Sequence, residues 1–288
     1  MTPRVLVTGA TGNTGRHVTS GLRAEGVPVR TATRSPGSAD PGTEHVRFDW
    51  GDTATYRPAL TGIDRVYLVA PVGARDPSAP IERFLDVARA SNVRRVVFLS
   101  SAMIPDEAPG LDRARRLITD MPEWAVLRPS WFMQNFLADR HHMATGLRTR
   151  GELPSATDGR GIGFVDAADI AAVGVRSLLD TTPPNRDYVI TGPEVLSYDD
   201  IARVLNELVR PSPPVRHVRL SVSDLTRLIG SAAPADMAAV LARIERRIAE
   251  GEEERVTNTV AEVTGRKPRS FREFVAAHRD ELVIAGES

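Results

Sequence analysis

The sequence predicts an α/β fold, a doubly wound parallel sheet with a smaller C-terminal α/β lobe. Short apolar runs alternate with stretches of helical spacing through the first half of the chain. These runs are apolar on both faces, as strands covered by helices on either side must be. A glycine-rich segment, Gly9–Gly15, lies directly between the first run and the first helical pattern.

The elements follow in order. Arg4–Thr8 (RVLVT) reads as a buried strand and Thr14–Ala24 as a helix. Val27–Thr33 and His45–Phe48 are strand-like, as are Arg65–Ala70 (RVYLVA) and Arg95–Leu99 (RVVFL), with helical spacing over Ile81–Ala90. Trp124–Leu127 is a further strand. Gly161–Val165 then Asp166–Leu179 reads as strand then helix, with Asp166 as the N-cap. Tyr188–Thr191 is strand-like. Ser197 opens a helix to Val209, and Asp200 is placed to complete a capping box. Val215–Leu220 is a strand, Ser221 and Ser270 start helices, and Met237–Glu254 is a charged amphipathic helix. Gly151–Gly161 is the richest loop and Pro211–Pro214 a turn.

Composition narrows the chemistry. Hydrophobic residues make up 41% of the 288 and charged residues 26%, the balance of an ordinary globular chain. Lys+Arg and Asp+Glu are both 37, so there is no basic excess for nucleic acid. No apolar run approaches the roughly 18–20 residues of a membrane span. The chain enters its first strand straight after Met1-Thr2-Pro3-Arg4, which leaves no room for a signal peptide and predicts a cytoplasmic protein. With no cysteine there is no thiol nucleophile, disulfide or Cys-ligated metal. Lys267 is the only lysine among the basic residues.

The loop Gly9-Ala10-Thr11-Gly12-Asn13-Thr14-Gly15 has the strand–turn–helix setting of a dinucleotide site. Its glycines permit a tight turn and close approach to a pyrophosphate, which the helix N-terminus then holds. No acid stands between Glu25 and Asp40 to take a ribose 2′-hydroxyl. Arg34 and Ser35 follow the second strand instead, and an arginine there pairs with a 2′-phosphate, which favours NADP(H). Asp49, beside Trp50, ends the third strand, where its carboxylate either reaches the adenine amino group or makes a turn.

Reductases on this fold often use Tyr-x-x-x-Lys. Tyr56, Tyr67, Tyr188 and Tyr198 are followed four residues on by Leu60, Pro71, Gly192 and Ala202, so the pair is absent.

Val5–Gly15, Arg34, Asp64–Pro71, Leu127-Arg128-Pro129-Ser130-Trp131-Phe132-Met133-Gln134-Asn135-Phe136, Phe164–Ala171 and Thr191–Glu194 resemble the NmrA-like family of atypical short-chain dehydrogenases/reductases. Its NAD(P)H:quinone oxidoreductase-like and festuclavine dehydrogenase-like branches look nearest. The resemblance covers nearly the whole chain. It implies a Rossmann domain with a smaller substrate lobe and NADP(H) as cofactor. It also implies that Ala70, Pro71, Ser100, Ser101 and Pro129–Phe132 line the nicotinamide region. These segments follow strands, where ligands of open α/β sheets bind. Residues 1–150 are then the NADP-binding domain, with 161–191 contributing to it, and 192–288 mainly the substrate-binding lobe. Some members carry a lysine or a His…Glu pair on the helix before the Leu-Arg-Pro strand. Here Gly110–Leu117 has neither lysine nor histidine, which fits the iminium-reducing branch better.

The remaining candidates each have a structural alternative. Trp131, Phe132 and Met133 wall an apolar pocket or pack a helix start, and Gln134 and Asn135 orient a substrate or cap the helix. Ser100 and Ser101 bind substrate or ribose, or make a turn. His141 and His142 are adjacent, which is poor metal spacing. Asp106, Glu107 and Asp112 are nearby acids, expected on a solvated loop. Arg94, Arg95, Arg113, Arg115, Arg116 and the Glu250–Arg255 run read as solvated faces.

The expected function is hydride transfer from NADPH to an already activated acceptor: an iminium, a quinone or a conjugated C=C. The substrate is an apolar or polycyclic small molecule, with no nucleic-acid or membrane partner and a monomeric or homodimeric protein. The alternatives are a non-catalytic NADP(H) sensor and, on weaker grounds, a non-redox cyclase or isomerase.

Overall fold

The computed structural model describes residues 2–35, 43–71, 76–103, 110–138, 141–230 and 235–285. In chain order the elements are β1 (Val5–Thr8), α1 (Gly15–Ala24), β2 (Val29–Thr33), β3 (Glu44–Arg47), α2 (Tyr56–Leu60), β4 (Arg65–Val69), α3 (Ser78–Ala90), β5 (Arg95–Leu99), α4 (Leu111–Thr119) and β6 (Glu123–Pro129). Then follow α5 (His142–Arg150), β7 (Glu152–Ser155), α6 (Ala167–Leu179), β8 (Arg186–Ile190), α7 (Tyr198–Leu208), β9 (Arg216–Arg219), α8 (Val222–Gly230), α9 (Ala235–Ala249), α10 (Thr259–Thr264) and α11 (Phe271–Ala277). The chain divides into two units: Met1–Pro129 with Ala167–Val189 and Glu262–Gly265, and Ser130–Asp166 with Ile190–Ala261 and Arg266–Ser288.

The first unit holds a seven-stranded sheet in the order β3-β2-β1-β4-β5-β6-β8. The strands from β3 to β6 pair in parallel, β1 lying between β2 (Val5↔Val29) and β4 (Val5↔Arg65). Strand order reverses between β1 and β4, the switch point at which doubly wound sheets bind ligands. One face packs Leu6, Val66, Leu68, Val96 and Phe98 against Phe84, Leu85 and Ile118. On α6, Gly174 lies so close to the sheet that an added Cβ would stand 3.1 Å from the Tyr67 ring.

The first-half strands lie within about two residues of their expected places, with physical reasons for the shifts. Strand β2 starts at Val29 because Gly26 (φ +69°) closes α1 and the Val27 N–H is spent on Leu22 C=O at 3.0 Å. The solvated reading of Arg95 is corrected: its side chain is 1% exposed. Its Nη1 donates to the carbonyls of Ser177, Leu178 and Asp180 at the end of α6, and its Nε to Glu123 at 2.8 Å. Arg115 likewise pairs with Asp187 at 2.7 Å rather than standing free in solvent.

The second unit carries a two-stranded parallel pair, β7 with β9 (Glu152↔Arg216 to Ser155↔Arg219). Strand β7 corrects the loop expected over Gly151–Gly161. Pro154 sits within it, as a strand paired on one side only allows. The strand expected over Gly161–Val165 reduces to two isolated bridges, Ile162↔Leu196 and Phe132↔Val165, since Gly161 and Gly163 leave no continuous run of side chains to pair. Helices α7 and α11 both open with complete capping boxes, Ser197 with Asp200 and Ser270 with Glu273. Helix α9 stops at Ala249, short of Glu254, because Gly251 (φ +84°) turns the chain. Beyond it Glu253 is 2% exposed, which corrects the solvated reading of that run. Among the described residues no helix is long and apolar enough to cross a membrane.

Candidate functional site

Because the sheet is parallel, the segments leaving β1 to β6 emerge at one edge. The first-unit candidates share that edge: Gly9–Gly15 after β1, Arg34 and Ser35 after β2, Asp49 and Trp50 after β3, Ala70 and Pro71 after β4, and Ser100 and Ser101 after β5. Pro129 closes β6.

The glycine loop is folded tightly against the start of α1. Gly9 has φ +60°, and the Gly12 N–H donates to the Gly9 carbonyl at 2.9 Å. A Cβ on Gly15 would stand 2.1 Å from the Gly9 oxygen, so only glycine allows helix and turn to meet. Gly9, Thr11, Gly12 and Asn13 are exposed, whereas Thr14 and Gly15 are buried. The first turn of α1 contains no acid, which leaves its unpaired N–H groups and positive dipole end to an anion. This arrangement fits a pyrophosphate. Behind it, Thr8 clamps β1 to β4, its hydroxyl donating to Tyr67 C=O at 3.2 Å and accepting from Val69 N–H at 2.8 Å.

Arg34 and Ser35 are exposed. Thr33 Oγ1 donates to the Ser35 carbonyl at 2.6 Å and fixes the turn after β2. Asp49 makes the turn after β3, its Oδ1 accepting from Gly51 N–H at 2.9 Å. Trp50 belongs to an aromatic cluster with Phe48, Tyr56 and Phe84, at ring separations of 5.0, 6.0 and 5.5 Å. Ala70, Pro71 and Ser100 are half-buried and Pro129 is buried. Ser101 Oγ accepts from Met103 N–H at 3.1 Å. Tyr67 is fully buried and its phenol is held well above its usual pKa by burial, with Thr14 opposing, so it stays protonated. Asp112 pairs with Arg116. Asp106 and Glu107 lie outside the described residues.

Trp131, Phe132 and Gln134 belong to the second unit. Trp131 C=O accepts from Val165 N–H, and Met133 N–H donates to Val165 C=O, both at 2.9 Å. This bridge holds Trp131 at 7% exposure and leaves Phe132 half-buried. Gln134 is buried and donates to Asp166 Oδ1 at 2.9 Å, while Asp166 Oδ2 takes Arg269 at 2.6 Å. Its amide is thereby committed within the protein. His141 and His142 stack at 4.5 Å. Burial keeps both neutral, pushing His142 down to about 4 and His141 well below the usual range. No group of three or more metal-ligating side chains occurs among the described residues.

Sequence reasoning missed a buried polar group in this unit: Glu245 on α9, Tyr198 at the start of α7 and His217 on β9. Glu245 lies in the segment expected to be a charged amphipathic helix, whose pattern does not mark one charge as buried, and Tyr198 has no lysine four residues on.

The family model described as NAD(P)H-binding matches residues 9–181. The chain is 39% identical over 276 residues to the uncharacterized oxidoreductase YesF of Bacillus subtilis (strain 168), covering 95% of this chain and 94% of that one. It is 34% identical over 287 residues to the agroclavine dehydrogenase of Claviceps fusiformis, covering 96% and 97%. In fold it is similar to the NADPH-dependent quinone oxidoreductase QOR2 of Escherichia coli, complexed with NADPH, with a TM-score of 0.81, 21% identity and 95% and 99% coverage.

Proposed function

Because the chain belongs to the NAD(P)H-binding family of NmrA-like atypical reductases, we propose that it passes hydride from NADPH to an acceptor that is already electrophilic: an iminium, a quinone or a conjugated C=C. The observation that carries this reading is the missing lysine. None of the four tyrosines has a lysine four residues on, and Lys267 is exposed in the second unit. A simple ketone needs a proton donor at its oxygen. An iminium carbon needs none, since hydride addition discharges it.

In this reading NADPH supplies the hydride when bound, and the protein supplies place and orientation. Gly9, Thr11, Gly12, Asn13, Thr14 and Gly15 hold the pyrophosphate. Arg34 and Ser35 take the 2′-phosphate, and Asp49 and Trp50 sit on the adenine side. Ala70, Pro71, Ser100 and Pro129 back the nicotinamide. The similarity to an agroclavine dehydrogenase supports a redox role for the whole chain.

The test is NADPH consumption with a cyclic iminium, a quinone, an enone and a simple ketone. The first three are expected to turn over and the ketone to lag far behind. Tight NADPH binding with no turnover on any acceptor overturns the reading in favour of the sensor.

A further inference from the structure

Tyr67 leaves β4 on the sheet face opposite Val66 and Leu68 and is 0% exposed. Helix α6 covers that face, with Gly174 making room for the ring. Helix α1 packs beside α6, so closely that a Cβ on Gly21 would stand 3.0 Å from Val175. The Tyr67 hydroxyl is buried among these elements and has no hydrogen-bond partner of ordinary geometry among the described residues. One side chain is set to meet it. Burial raises the Tyr67 pKa, and the Thr14 hydroxyl works against that rise.

Thr14 is the N-cap of α1, yet its side chain makes no capping hydrogen bond. A threonine there ordinarily accepts from an N–H of the first turn. Here the Arg16 N–H is taken by the Gly12 carbonyl at 3.2 Å, and the Thr14 hydroxyl is left over. It lies next to the exposed Gly12 and Asn13 of the glycine loop. The two hydroxyls have one bond to share, and its direction follows from what else each can reach. If Tyr67 accepts, its own proton stays buried and bare, the costlier arrangement. If Tyr67 donates, it fills a lone pair of Thr14 Oγ1 and leaves the Thr14 proton to turn outwards. The helix start offers donors and a positive dipole end on that side, so an anion is what accepts such a proton.

We propose that Tyr67 is a positioning residue of the cofactor site: its buried O–H holds the Thr14 hydroxyl with the proton turned to the glycine loop, ready to donate to the dinucleotide's pyrophosphate. This rests on the cofactor reading of that loop. Tyr67 itself touches no ligand and acts through Thr14. Its effect falls on the diphosphate that NADPH and NADH share, not on the 2′-phosphate. The packing of the ring against α6 is a separate role, which a phenylalanine fills equally well.

The experiment titrates NADPH, NADH and ADP-ribose into the full chain by calorimetry and melts each variant without ligand. Tyr67→Phe is expected to weaken all of these ligands alike, about threefold, with the melting temperature held or slightly raised, because a bare buried hydroxyl is removed. Thr14→Val is expected to weaken them about tenfold, since a donor to a charged group is lost. On the Thr14→Val background Tyr67→Phe is expected to cost nothing more, as no hydroxyl is left to orient. Thr14→Ser restores the hydroxyl and with it the sensitivity to Tyr67→Phe. Wild-type binding that Tyr67→Phe leaves unchanged overturns the proposal and leaves the cofactor reading standing. Additive losses in the double variant overturn it too, and so does a loss confined to NADPH. A Tyr67→Phe chain that melts several degrees lower and loses all ligands in proportion marks the hydroxyl as purely structural, again overturning it. A wild-type chain that binds none of the ligands overturns the cofactor reading, and the proposal with it.

Discussion

Each unit buries a charged side chain, and the two are treated in opposite ways. Arg95 in the first unit is held by three carbonyls and a carboxylate. Arg30 repeats the pattern with the carbonyls of Pro58, Ala59 and Thr61 and with Glu44. Glu245 in the second unit has one backbone N–H and an oxygen with no partner among the described residues. A buried charge with its donors engaged is part of the scaffold, and removing it strands its partners. A buried carboxyl left half-satisfied lowers stability.

That contrast can be broken at several points. Arg95→Met is expected to have the largest effect, a loss of about 3–5 kcal/mol in denaturant unfolding, because the Ser177 and Asp180 carbonyls lose their Arg95 donor and Glu123 keeps only the exposed Arg94. A loss under about 1 kcal/mol would show that Arg95 is not scaffold. Glu245→Gln is expected to move stability the other way. The folded carboxyl sits near 7 against an ordinary 4.5. Between those values the native state binds more protons than the unfolded one, so wild-type stability falls as pH rises through the window. The variant escapes that fall and gains up to about 3 kcal/mol above it. His141 and His142 act with the opposite sign, costing stability as pH falls below 6.5, for His142 through about 4. They are common to both proteins, so the difference between the two melting profiles isolates Glu245.

Arg34 supplies a third kind of charge, exposed and outside the scaffold. Arg34→Ala is expected to leave stability within about 0.5 kcal/mol and to weaken NADPH about tenfold, with little change for NADH. Equal losses for both cofactors would remove Arg34 from the phosphate. The smallest effect is expected from Ser197→Ala, which deletes the capping box of α7 and costs about 1 kcal/mol.

The fold of the first unit was legible because its strands are buried on both faces, so apolar runs such as Val5–Val7 and Val66–Leu68 mark them without ambiguity. The cofactor loop was legible because strand, glycines and helix adjoin in sequence. The second unit gave weaker signals. Strand β7 contains Pro154 and lies among glycines that usually mean a turn. Arg95 was misread and Glu245 passed over for one reason: a charged residue in such a pattern is ordinarily solvated, and only partners distant in sequence, Ser177 to Asp180 or Ala156, mark the exceptions. The polar group of Glu245, Tyr198 and Trp131 spans more than a hundred residues of chain, so no local motif could announce it.

The partners of Arg95 also govern the order in which the protein can be built. Its carbonyls come from the end of α6 and the seventh strand of its sheet is β8, yet the segment Ser130–Asp166 of the other unit is threaded between them and β6. A chain emerging from the ribosome therefore has an Arg95 guanidinium without its three carbonyls until residue 180 has been synthesised, and an open β6 edge until residue 190 has. The leading 129 residues are therefore not the whole of the first unit, and part of each unit is synthesised before the other is complete.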